Sequence, residues 1–142
     1  MIRQFNFPNT IRFGAGAISE VGPALKGQFK RPLLLTDRVI VALPFWSGIE
    51  SQLKAEGLDI ATFSDMGGNP VEDDVSRGVE AYHKHKSDCI VMIGGGATLD
   101  VGKAIALMAN HPGTLFDYED GKVDGLPSDP VSYTHLRAHE TR

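Results

Sequence analysis

Apolar residues along this chain fall into two rhythms. Short unbroken runs, over 32–36 and 88–93, read as strands buried on both faces. Elsewhere apolar positions recur at three and four, the spacing of one helix face. Ala17, Ile18, Val21 and Leu25 make the first such face, ended by Gly27. Trp46, Ile49 and Leu53 make the second, with Gly57 as C-cap, and Trp46 is expected in the core. Val71, Val75, Val79 and Tyr82 make the third, with Glu72, Asp73 and Asp74 at its favourable N-terminal end. Val101, Ala104, Ile105 and Met108 make the fourth, stopped by Asn110-His111-Pro112-Gly113. Alternation of apolar and polar residues predicts two short strands, or one bent one, over 5–7 and 10–13, and a further strand at 58–63. Together these elements predict an α/β, Rossmann-like doubly wound fold: a mostly parallel sheet with helices on both faces.

The junction at 94–98 carries the first chemistry. The run 88–93 enters Gly94-Gly95-Gly96, and a helix follows at once. Three adjacent residues without a Cβ let another group approach the main chain closely. The helix start adds unpaired N–H groups and the positive end of its dipole. Together they make a phosphate cradle. Two familiar phosphate patterns fail here. Ala97 stands where a P-loop needs glycine, and Ala104 where it needs Ser or Thr. Counting G-x-G-x-x-G from Gly94 ends on Leu99. A tight turn without a ligand is the plain alternative. Asp100 and Lys103, three apart on one face, weigh against it, since the acid can accept from a ribose or an amide.

Asp37 closes the first buried run, at the edge where open α/β sheets bind ligands. A carboxylate there can accept both hydrogen bonds of an adenosine ribose. It would also repel a 2′-phosphate, favouring NAD over NADP. It can equally serve as an N-cap or Asx-turn, and position alone does not separate the two. Asn69 before Pro70 reads by itself as a turn initiator.

Composition narrows the class. The chain has 142 residues, enough for one domain with a real core. Net charge is −4, which leaves no nucleic-acid or membrane footprint. No apolar run is long enough to span a bilayer, and the opening residues lack the apolar core of a signal peptide. The single cysteine, Cys89, falls in a buried run; this excludes a disulfide framework and suits a reducing, cytoplasmic setting. His83 and His85 lie two apart and do not face each other on a helix, which argues against a metal there.

The string G-G-G-A-x-x-D-x-x-K-x-x-A over 94–106 resembles the glycine-rich segment of iron-containing (group III) alcohol dehydrogenases. Phe13-Gly14-Ala15-Gly16-Ala17, Leu33-Leu34-Leu35-Thr36-Asp37, Gly68-Asn69-Pro70, and His111-Pro112-Gly113 through Asp117-Tyr118 are similar to that family's other N-terminal motifs, in order. The likeness covers 5 to about 127. It departs at Ala97, where many members carry Ser, so one hydroxyl contact to a phosphate is lost.

The resemblance implies that 1–130 is an NAD(P)-binding domain. Gly95, Gly96, Ala97, Thr98, Leu99 and Asp100 would line the pyrophosphate and nearby ribose. Asp37 would hold the adenosine ribose and Asn69 would sit by the cofactor, while Lys103 would support Asp100 or face the phosphates. The implied activity is hydride transfer between a small primary alcohol or aldehyde and NAD. In it, Fe2+ or Zn2+ polarises the substrate oxygen. The metal's Asp and His ligands belong to a helical C-terminal domain that these residues do not include, so none of them is assigned a catalytic or metal role. The chain alone is therefore expected to bind nucleotide weakly and not to turn over; homo-oligomerisation stays open. Glycerol or glycerol-1-phosphate dehydrogenases and dehydroquinate-synthase-like enzymes share the fold and are alternatives. So is a non-catalytic nucleotide-binding fragment, whose severed interface would be prone to association.

From 117 to 130 the chain is acidic and rich in Gly and Pro, which reads as loop or boundary. The run 131–142 breaks the pattern. The family's returning strand and T-T-A-G-T-G-S-E loop are missing, and the run looks like an adaptor-derived, disordered tail. His135 and His139 are spaced to share a metal on a helix, but lack the H-E-x-x-H arrangement and a third ligand.

Overall fold

The structure is a computed structural model that describes residues 11–119, Lys122 and the backbone of 133–137. Strands β1 (Pro32–Leu35), β2 (Ala61–Phe63), β3 (Cys89–Gly94) and β4 (Tyr133–Arg137) form one sheet in the order β2-β1-β3-β4. Every pairing is parallel, with Leu33 opposite Ala61 on one side and Ile90 on the other. Parallel neighbours need long crossovers. Helix α2 (Trp46–Ala55) carries the chain from β1 to β2, and α3 (Glu72–His85) carries it from β2 to β3. Helix α1 (Val21–Leu25) precedes β1, and α4 (Gly96–Met108) follows β3.

Successive strand residues face opposite sides, which explains the unbroken apolar runs. Leu33, Leu35, Ile90 and Met92 pack with Val75, Tyr82, Val101 and Ile105 beneath α3 and α4. Leu34, Val91 and Ile93 pack with Val21, Leu25, Trp46, Ile49 and Leu53 beneath α1 and α2. All residues of β1 and β3 are buried, as a strand covered on both faces requires. Close helix approach rests on two glycines. A Cβ on Gly102 would stand 1.9 Å from Met92 Sδ, and one on Gly78 would stand 2.2 Å from Ile105 Cδ1.

Several elements differ from expectation. Only Ala61–Phe63 of the 58–63 alternation forms a strand. The Leu58 N–H is spent on Leu53 O (3.3 Å) and the Asp59 N–H on Lys30 O (2.9 Å), so neither joins the ladder. Val71 caps α3 rather than packing in its face, and is 52% exposed. At 11–13 there is no strand, and Ile11 and Phe13 point outward; the rest of the two N-terminal strand predictions lies outside the described residues.

The largest difference is β4. Disorder is expected over 131–142, yet Tyr133–Arg137 pairs in parallel with β3 over Ile90–Gly94. The outer edge of β3 otherwise presents unpaired N–H and C=O groups. An aromatic and a β-branched residue at its start make this segment a serviceable partner. His135 therefore lies in a strand, not on the helix its spacing with His139 would need. His139 and the rest of that run lie outside the described residues.

Candidate functional site

The strand order creates one topological switch. From β1 the chain moves outward to β2, then crosses back to place β3 on the other side of β1. At such a reversal the connections diverge and leave a crevice outside the carboxyl ends of the two central strands. Two turns flank it: 36–40 after β1, and 94–98 after β3.

The first turn is tied down internally. Thr36 is buried; its hydroxyl donates to Ile93 O at 2.8 Å and its N–H donates to Phe63 O at 3.1 Å. One residue thus laces together the ends of β2, β1 and β3. Asp37 is half-buried, and its Oδ1 accepts from the N–H groups of Val39 and Ile40, both at 2.8 Å. The Asx-turn reading is therefore realised, and it occupies one carboxylate oxygen. Among the described residues Oδ2 carries no hydrogen bond, so one oxygen rather than two is left for a ligand's hydroxyls.

The second turn is open. Gly94 ends β3 for packing reasons, since a Cβ there would come within 2.5 Å of Thr98 Oγ1. Gly95 and Gly96 have no such reason. Both are exposed, a Cβ on either would meet nothing within 4 Å, and Gly95 sits at an ordinary φ of −85°. No side chain caps α4, which leaves its first N–H groups facing outward.

The other expected site residues divide. Thr98 is 1% exposed, so nearly all of its side chain is buried beneath the turn. Leu99 is half-buried against the α3–α4 core, and its N–H already bonds Gly95 O at 3.1 Å. Ala97 is half-buried and Asp100 exposed. Lys103 Nζ stands 3.7 Å from Asp100 Oδ1. Asn69 is exposed in the loop after β2, on the same edge of the sheet but across β1 from the glycine turn.

A charge cluster invisible in the sequence completes this edge. Arg38 and Arg77 both bond Asp65, and Arg77 also meets Asp73 and Asp74. The Arg38 hydrogen bond holds the Asp65 carboxyl below the usual carboxylate range. Cys89 contributes nothing reactive: burial, reinforced by Asp88, pushes its thiol up to about 12. Among the described residues no group of three or more His, Cys, Asp or Glu side chains is arranged to hold a metal ion. Nor, among them, is any helix long and apolar enough to cross a membrane.

An open helix start beside a strand-order switch is where doubly wound α/β folds bind ligands. The family model of iron-containing alcohol dehydrogenases matches residues 8–134. The chain belongs to that family. The chain is 34% identical over 140 residues to alcohol dehydrogenase 4 of Saccharomyces cerevisiae, covering 96% of itself and 37% of that protein. It is 33% identical to the NAD-dependent methanol dehydrogenase of Bacillus methanolicus, covering 89% of itself and 34% of the relative. A crystal structure of 1,3-propanediol oxidoreductase superposes with a TM-score of 0.85 at 29% identity, over 95% of this chain and 36% of that one. The chain thus spans about a third of the length of the relatives it matches.

Proposed function

We propose that this chain is the NAD-binding part of a metal-dependent alcohol dehydrogenase acting on a small primary alcohol or aldehyde. One observation carries the reading: the uncapped start of α4, with two glycines that nothing inside the protein requires, stands at the sheet's switch point opposite Asp37. A dinucleotide fits that arrangement. The α4 N–H groups would hold the diphosphate, and bare backbone at Gly95 and Gly96 would let it approach. Asp37 Oδ2 would accept from the adenosine ribose, with Asn69 near the cofactor. Asp100, steadied by Lys103, would border the second ribose. When bound, NAD supplies the carbon that takes the hydride. Its preference over NADP rests on the negative charge of Asp37 beside the ribose. The chain's relative in Bacillus methanolicus, an NAD-dependent methanol dehydrogenase, agrees with this.

The described residues do not fit a catalytic metal. We infer that this chain alone binds nucleotide without turning over, in a cytoplasmic setting suited to its single thiol. Titrating NADH into the 142-residue chain tests the site. Gly95→Val should weaken binding about tenfold or more, because a branched side chain would occupy the diphosphate's place. Asp37→Ala should weaken it about fivefold. Equal affinity in the parent and both variants would overturn the assignment.

A further inference from the structure

The residue after Asp37 is an arginine, a cation beside the carboxylate assigned to the ribose. Arg38 is exposed, yet it is tied elsewhere. Its Nε donates to Asp65 Oδ1 at 3.0 Å, and Nη2 donates to the same oxygen. Asp65 follows β2, which lies across β1 from the glycine turn. The second carboxylate oxygen of Asp65 accepts from Arg77 Nη1 on α3. Arg77 is anchored in turn: Nε meets Asp73 Oδ2 at 2.9 Å and Nη2 donates to Asp74 Oδ1 at 2.7 Å. Asp74 is buried, and its Oδ2 accepts the Val71 N–H at 3.1 Å. Asp65 is therefore braced from behind, while Arg38 is held from the front by Asp65 alone.

We propose that Asp65 is a specificity-determining residue: by sequestering the Arg38 guanidinium it leaves Asp37 as the unbalanced charge at the ribose, so a 2′-phosphate meets an anion and no cation. The inference rests on the NAD site argued above and adds to it. Asp37 alone would repel a 2′-phosphate. An unclamped Arg38 next to it would offset that repulsion and offer a fork of donors suited to phosphate. The clamp is solvent-exposed, so releasing it disturbs the fold little.

The test compares NADH and NADPH binding to the 142-residue chain, its Asp65→Asn and Arg38→Ala variants, and the double variant, at low salt. The parent should bind NADH more tightly than NADPH. Asp65→Asn should improve NADPH binding about fivefold relative to NADH, and the double variant should lose that gain. The double variant also separates Arg38 from Arg77, which keeps Asp73 and Asp74 as partners. Arg38→Ala alone should leave both affinities within about twofold, because that cation is already occupied. An unchanged ratio in Asp65→Asn would overturn the proposal. So would a gain surviving in the double variant, or a marked loss of NADPH binding in Arg38→Ala. Failure of the parent to bind either dinucleotide would instead overturn the NAD site itself, and this inference with it.

Discussion

Two turns stand at the same edge of the sheet and face the same physical problem: a strand ends, a helical turn begins, and its first N–H groups lack partners. The turn after β1 solves it internally, with Asp37 Oδ1 accepting from Val39 and Ile40. The turn after β3 does not, because no side chain caps α4 and Gly95 and Gly96 cover nothing. Helices α1 and α2 also begin without a side-chain cap, so what sets α4 apart is the pair of exposed glycines at its start, which leaves room for a partner from outside. The same contrast sorts the glycines. Gly94 and Gly102 are small because neighbours crowd them, whereas Gly95 and Gly96 have open space above them.

Substituting one glycine of each kind tests that sorting. Gly102→Ala should have the largest effect. Its methyl would collide with Met92 Sδ and Cγ, at 1.9 and 2.4 Å, between α4 and a fully buried strand. Overpacking of this kind costs about 2 kcal/mol, and thermal denaturation should show a melting temperature lower by several degrees. Gly95→Val should behave in the opposite way, with stability within about 0.5 kcal/mol of the parent while NADH affinity falls. If Gly95→Val melted as early as Gly102→Ala, the distinction between crowded and open glycines would be broken. Asp37→Ala should fall between them. Losing the turn's acceptor costs about 1 kcal/mol of stability, and the free Oδ2 that is lost with it should weaken NADH binding.

Much of this was legible because burial on both faces writes itself into sequence as an unbroken apolar run. That is how 32–36 and 88–93 announce β1 and β3. Periodicity at three and four likewise revealed α2, α3 and α4, and Trp46 is in the core as its spacing requires. What stayed hidden depends on tertiary circumstance. β4 depends on pairing with the outer edge of β3, and the availability of that edge is not written in 133–137. The strand at 58–63 is shorter than its alternation because Leu58 and Asp59 bond elsewhere. Thr98 turns inward because of the rotational phase of α4 on the sheet, which also sends Asp100 outward. The Arg38–Asp65–Arg77 cluster joins residues 27 and 12 apart through the path of two loops, and charges spaced that way carry no local signal. At Asp37 the sequence allowed two roles; the structure realises the turn with one carboxylate oxygen and leaves the other without a hydrogen bond among the described residues.

Lys103 offers the smallest and finest test. It pairs with Asp100 at 3.7 Å on the exposed face of α4, and both side chains are more than half exposed. An i,i+3 pair of this kind contributes about 0.3 kcal/mol, so Lys103→Ala should leave the melting temperature nearly unchanged. Its effect on NADH binding decides between the two roles open to it. As a support for Asp100 it should weaken binding by less than about twofold, with little dependence on salt. As a direct phosphate ligand its loss should weaken binding by about tenfold, an effect fading as salt rises. The observed ion pair and the outward turn of that face predict the smaller change. A large, salt-sensitive loss would mean that the diphosphate reaches past the first turn of α4, and that the open end of the site is longer than Gly95 and Gly96.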